Sequence, residues 1–213
     1  MAIAKKKAEE KVKVQEIQIQ KLDIRVIRLT LEGDTPLIVK RFSEKAREKM
    51  EKKQVGGITN PTKELRNPEE EYEACKYKTH DGKDGIPASA IKLAMLTATR
   101  STNKAVSKNF LSQSVHVLGD ILPIRGSAPF MRMHDIGRVG VGKTPMPIYR
   151  PEYTKWEVDV DIKYNAAIIN PSLIVNLLDL AGFGVGLCEW RPEKKGTMGM
   201  FHVKQTGRKE KAA

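Results

Sequence analysis

Residues 170–203 constrain this chain more than any other stretch, because they read as three elements joined in a fixed order. Asn170 suits a helix N-cap, and Pro171 suits the first turn, where its missing N–H costs nothing. Leu173, Ile174, Leu177, Leu178 and Ala181 then recur at helical spacing. Gly182, Gly184 and Gly186 follow where a helix is expected to stop. A basic loop comes next, with Trp190, Arg191, Lys194 and Lys195. Gly196 and Gly199 lead into a final strand, with Phe201 and Val203 on one face. Glycines lack a Cβ, so their backbone N–H groups can approach something bulky, and the cations beside them make an anion the expected partner. The competing reading is a capping glycine and a surface hairpin. A dinucleotide fingerprint is excluded, since its glycines precede a helix and these follow one. Residues 137–144 read GRVGVGKT and fit the Walker spacing, but a Walker loop leads from a strand into a helix, whereas these residues fall inside the stretch 121–153 that reads as a hairpin.

The rest of the chain supplies strands for this helix to pack on. Trp156, Val158, Val160 and Ile162 alternate strictly with Glu157, Asp159, Asp161 and Lys163, the pattern of a half-buried strand. Ile27, Leu29 and Leu31 alternate in the same way, and residues 35–39 read as a second short strand. Residues 86–100 read as a helix with Pro87 near its start, Ala88, Ile91, Met95 and Ala98 on one face, and Arg100 at its end. Val115 and Val117 suggest a strand that ends in the turn 118–120. Residues 43–85 form a polar insertion, with a helix expected at 43–54 and a short helix or strand at 69–77. Residues 121–153, rich in Gly, Pro, Met and Arg, read as a projecting β-hairpin. Residues 1–20 form a charged arm and 205–213 a basic tail, which leaves one domain over 21–204. The order strand, helix, strand, strand, helix, strand predicts an α+β fold of the ferredoxin-like, modified RRM type.

Charge points to the partner. The formal net charge is +12, which favours nucleic acid or another anionic surface. The tails do not account for all of it. Residues 100–150 hold Arg100, Lys104, Lys108, Arg125, Arg132, Arg138, Lys143 and Arg150 against Asp120 and Asp135. Cys75 and Cys188 form no metal spacing and no disulfide framework, as expected in a reducing cytoplasm. No metal or cofactor motif is found, no apolar run reaches membrane length, and no signal-peptide core follows Lys5, Lys6 and Lys7.

Three places resemble the RAMP superfamily, the Cas7-type backbone proteins of CRISPR effectors. Residues 85–92, with Pro87, Ser89 and Lys92, look like that family's "IPGSSLKG" stretch, with Ala88 and Ala90 standing in place of Gly and Ser. Residues 35–39 lie like the end of its first strand, and residues 196–199 resemble its glycine-rich loop. The resemblance implies a modified RRM core, head-to-tail stacking along single-stranded RNA, and a thumb at 121–153 with Arg125, Arg132, Arg138 and Lys143 on phosphates. Some members cleave RNA with an Asp in a "GGVDNP"-like loop. Residues 56–61 look similar, but Thr59 stands where that Asp would be, which implies that cleavage is lost.

The expected function is therefore a non-catalytic protein that coats single-stranded RNA, as a homo-oligomer or as a subunit of a ribonucleoprotein. Three rivals stay open: a phage-type single-stranded DNA annealing protein, a Cas6-like endoribonuclease, and an inhibitor or structural subunit of the same fold. An ordinary RRM, which stacks bases on sheet aromatics, fits poorly, because Glu157, Asp159 and Asp161 line the polar strand face. His80, His116, His134 and His202 are the candidate general bases, and His80 is the best placed of them. The run Glu69, Glu70, Glu71 and Glu73 reads as a solvated face. Met131, Met133 and Met146 read as packing or a subunit contact. Trp190 either stacks on a base or caps the core.

Overall fold

The computed structural model describes residues 21–42, 44–54, 67–103, 105–139 and 144–204. The arm 1–20, the tail 205–213, the loop 56–61 with Thr59, and Lys143 lie outside these residues, as do the side chains of His134, Arg138 and Met146.

Among the described residues the strands and helices follow in the order β1 (Ile24–Gly33), β2 (Leu37–Ile38), α1 (Glu44–Gln54), α2 (Pro68–Ala74), β3 (Tyr77–Lys78), β4 (Asp84–Pro87), α3 (Ala88–Ala98), α4 (Lys108–Ser114), β5 (Val115–Val117), β6 (Ile121–Gly126), β7 (Phe130–Val139), β8 (Thr144–Tyr153), β9 (Trp156–Asn165), α5 (Pro171–Gly184) and β10 (Phe201–Val203). The larger sheet runs β10-β1-β9-β6-β4-β3 and every pairing in it is antiparallel, with β5 also on β9. The smaller sheet runs β2-β8-β7. This is a mixed α/β architecture built on antiparallel sheets.

β9 organises the larger sheet as its alternation predicts. Trp156, Val158, Val160, Ile162 and Tyr164 are buried, and α3 and α5 cover that face with Ile91, Met95, Ile174, Leu177 and Leu178. β5 and β6 lie end to end along β9, and the Leu118 amide donates to the Asp161 carbonyl at 2.8 Å.

Two expectations need correction. The first is the hairpin boundary: 121–126 is a strand of the larger sheet, and the projecting hairpin is β7–β8, tied to the body where Leu37 pairs with Tyr153 and Ile38 with Glu152. The second is the end of α5. Asn170 Oδ1 does accept from the Ser172 amide at 3.0 Å, but the helix runs through Gly182 to Gly184. Gly182 is needed there for packing: a Cβ would stand 1.7 Å from the Phe201 carbonyl oxygen of β10. The capping glycine is Gly186, just beyond the helix end, which takes φ +70° and donates to the Ala181 carbonyl at 2.8 Å.

Candidate nucleic-acid interface

The three stretches singled out in the sequence come together. The Gly199 amide donates to the Pro36 carbonyl at 2.8 Å, and the Glu189 amide to the Ile38 carbonyl at 3.0 Å. These bonds fix the glycine-rich loop to residues 36–38. Across from it stands α3, whose first residues follow Pro87. Between the loop and α3 lies a groove of about 630 Å³. Ala90 and Leu93 line it from the helix, Trp190 and Lys194 from the loop, and Lys40 from the segment after β2.

The glycines work differently from the expectation. A Cβ on Gly196 would stand 1.8 Å from the Trp190 carbonyl oxygen, one on Gly199 2.1 Å from the Leu187 carbonyl oxygen, and one on Gly186 2.6 Å from Pro192 Cδ. The bulky group they admit is the loop's own chain. Gly184 has nothing within 4 Å of its Cβ position. The loop is folded back on itself, and Cys188, Trp190 and Lys195 are left-handed at φ 61°, 59° and 65°. Such a backbone costs about 1–3 kcal/mol per non-glycine residue. The Met198 amide, which donates to the Trp190 carbonyl at 3.0 Å, helps hold it.

The cations divide into two groups. One group is engaged within the protein, mostly by carboxylates. Arg150 donates to Glu189 at 2.9 Å, and Lys40 meets the same carboxylate at 3.0 Å. Arg191 holds Glu193 at 2.6 Å and the Cys188 carbonyl at 2.9 Å. Arg132 holds the buried Glu152 at 2.6 Å. Arg125 lies on the larger sheet, where it holds Asp159 at 2.6 Å. Lys92 donates to the Ser112 carbonyl at 3.1 Å and stands 3.3 Å from His116. The other group is Arg100, Lys108, Lys194 and Lys195, all exposed, with no ion pair among the described residues. Ser89 is exposed on the first turn of α3.

The uncovered face of the larger sheet carries no aromatic side chain from β1, β5, β6, β9 or β10. Its carboxylates are matched. Arg28 makes a two-pronged contact with Asp161 at 2.7 Å, and Lys204 bridges Glu157 and Glu32. The Arg28 guanidinium holds the Asp161 carboxyl below its ordinary range. This face is a lattice of internal ion pairs.

Neither cysteine is activated as a nucleophile. Burial pushes the Cys188 thiol up to about 12, and burial raises that of Cys75 as well, so both are neutral thiols. Among the described residues no group of three His, Cys, Asp or Glu is placed to hold a metal. His202 stands 2.7 Å from Asp34 on the exposed sheet edge, and His80 lies in the exposed turn after β3. Sequence reasoning missed Lys40 and Leu93 of the groove. Leu93 had a signal: it is a large apolar residue off the helix face made by Ile91, Met95 and Ala98.

No family model and no curated protein sequence matches the chain. Solved structures do resemble it. A chain in the cryo-EM structure of the type III-B Cmr-beta complex bound to cognate target RNA is 11% identical, with a TM-score of 0.48 over 85% of this chain and 59% of that one. Cmr6 from Pyrococcus furiosus is 12% identical, with a TM-score of 0.44 over 86% of this chain and 100% of that one. The chain thus spans 59% of the length of the Cmr-beta chain it matches.

Proposed function

We propose that this chain is a non-catalytic, Cas7-like protein that binds single-stranded nucleic acid, with RNA as the first choice. It acts as a homo-oligomer along the strand or as a subunit of a larger ribonucleoprotein. The observation that carries this reading is the convergence of residues 36–40, the start of α3 and the glycine loop on one groove, with Lys194 and Lys195 exposed at the loop. The net charge of +12 supports it. The core is read as ferredoxin-like, since the strand order β10-β1-β9-β6 with α3 and α5 on one face agrees with that arrangement. The hairpin β7–β8 serves as the thumb, with Arg138 and Lys143 on backbone phosphates.

The test is the salt dependence of binding to single-stranded RNA and DNA of equal length. Each neutralised phosphate contributes about 0.7 to the log–log slope, so contacts from Arg100, Arg138, Lys143, Lys194 and Lys195 give a slope of roughly −3.5. A slope near zero refutes the reading. Binding of DNA in clear preference to RNA transfers it to a single-stranded DNA protein.

A further inference from the structure

The groove has features that phosphate binding alone does not require. Its helix wall presents Leu93, 60% exposed, although the rest of α3 buries Ile91, Ala94, Met95 and Ala98. Its loop wall presents Trp190, 45% exposed and held by left-handed backbone at φ 59°. A tryptophan keeps that conformation only where its surroundings hold it there. Here two loop bonds fix it, from the Glu189 amide to Ile38 and from the Met198 amide to the Trp190 carbonyl. Gly196, tight under that carbonyl, lets the turn close. A volume of about 630 Å³ lies within the range of sites for one small organic group. Glu189 and Glu193 also line the groove, but Lys40 and Arg191 neutralise them, and Lys194 beside them has no ion pair among the described residues, so a flat apolar group that carries an anion is complementary to it.

We infer that this groove receives one unstacked nucleobase of a single strand, between Leu93 and the Trp190 ring, with its phosphate against Lys194. The inference rests on the nucleic-acid reading above and adds a base-sized slot to it. Every base has a π-face, so the slot accepts all four and adds affinity without choosing sequence.

The chain has two tryptophans, and Trp156 is 2% exposed, so quenching of fluorescence on binding reports Trp190. The full chain is titrated with a short oligouridylate and with an abasic strand of equal length. The oligouridylate is expected to quench the emission and to bind about tenfold or more tighter than the abasic strand, with the same salt slope. Trp190→Ala lowers affinity for the oligouridylate to the abasic level and leaves the abasic affinity unchanged. Trp190→Phe keeps most of the affinity and loses the quench. Leu93→Ser, at an exposed position, gives the same selective loss if Trp190→Ala fails to fold by circular dichroism. Equal affinity for the two strands with a full salt slope overturns the slot and leaves the nucleic-acid reading standing. Binding of neither strand overturns both.

Discussion

Arg132 separates a structural role from a phosphate-gripping one. Its guanidinium lies 2.6 Å from Glu152, whose side chain is 5% exposed, while its own is 36% exposed. Arg132→Ala leaves that carboxylate in the body of the protein without its cation. Removal of one partner from a fully buried pair costs about 3–5 kcal/mol. Water reaches this arginine and screens the pair, so the cost falls to roughly 1–3 kcal/mol. For a chain of this size each kcal/mol lowers the melting temperature by about 2–4 °C. Arg132→Ala should therefore melt roughly 2–12 °C below wild type in calorimetry, with a matching loss in urea unfolding. Glu152→Gln added to Arg132→Ala should recover part of the loss, because it removes the stranded charge, and the double-mutant cycle measures the pair. The reasoning fails if Arg132→Ala keeps the wild-type melting temperature and instead makes the RNA salt slope shallower by about 0.7. That result would place the guanidinium on phosphate.

Two glycines two residues apart should respond with opposite signs. Gly184→Ala meets open space in a helix and should stabilise by roughly 0.5–1 kcal/mol, while Gly182→Ala would put its Cβ 1.7 Å from the Phe201 carbonyl and should destabilise despite its better helix propensity; urea melts of both variants check this. Asp84 should set part of the acid limit. Burial alone would raise its carboxyl, but the Lys78 ammonium at 2.5 Å and the Tyr153 hydroxyl at 2.8 Å outweigh it and hold the group below the ordinary range. A lowered folded pKa means that this stabilisation is complete above the unfolded value near 3.9 and is lost as pH falls through the folded value. Asp84→Asn should flatten the stability curve below about pH 4, and an unchanged curve would count against the pairing.

Much of the fold was legible because it follows from local pattern. The alternation in β9 marked which residues are buried, and Asn170-Pro171 marked the start of α5. What failed to show in the sequence depends on contacts between distant residues. Gly182 reads as a helix stop until Phe201, 19 residues later by number (201 − 182), is seen to pass against it. Arg125 reads as a thumb residue until β6 is seen to pair with β9. Arg132, Arg150 and Arg191 read as phosphate ligands, yet each holds a carboxylate, and a count of charges does not reveal its pairing. For the interface, the sequence marked the right stretches but not the groove they form. Lys40 and Leu93 join it only because the Glu189–Ile38 bridge draws the loop onto residues 36–40 opposite α3.

The most direct test of the interface is ultraviolet cross-linking of an oligouridylate to the full wild-type chain, followed by peptide mapping of the modified residues. Binding in the groove predicts cross-links within residues 185–199, with Trp190 foremost, and in the peptide that holds Leu93. Cross-links confined to the ion-paired face of the larger sheet, at β1 and β9, would contradict it.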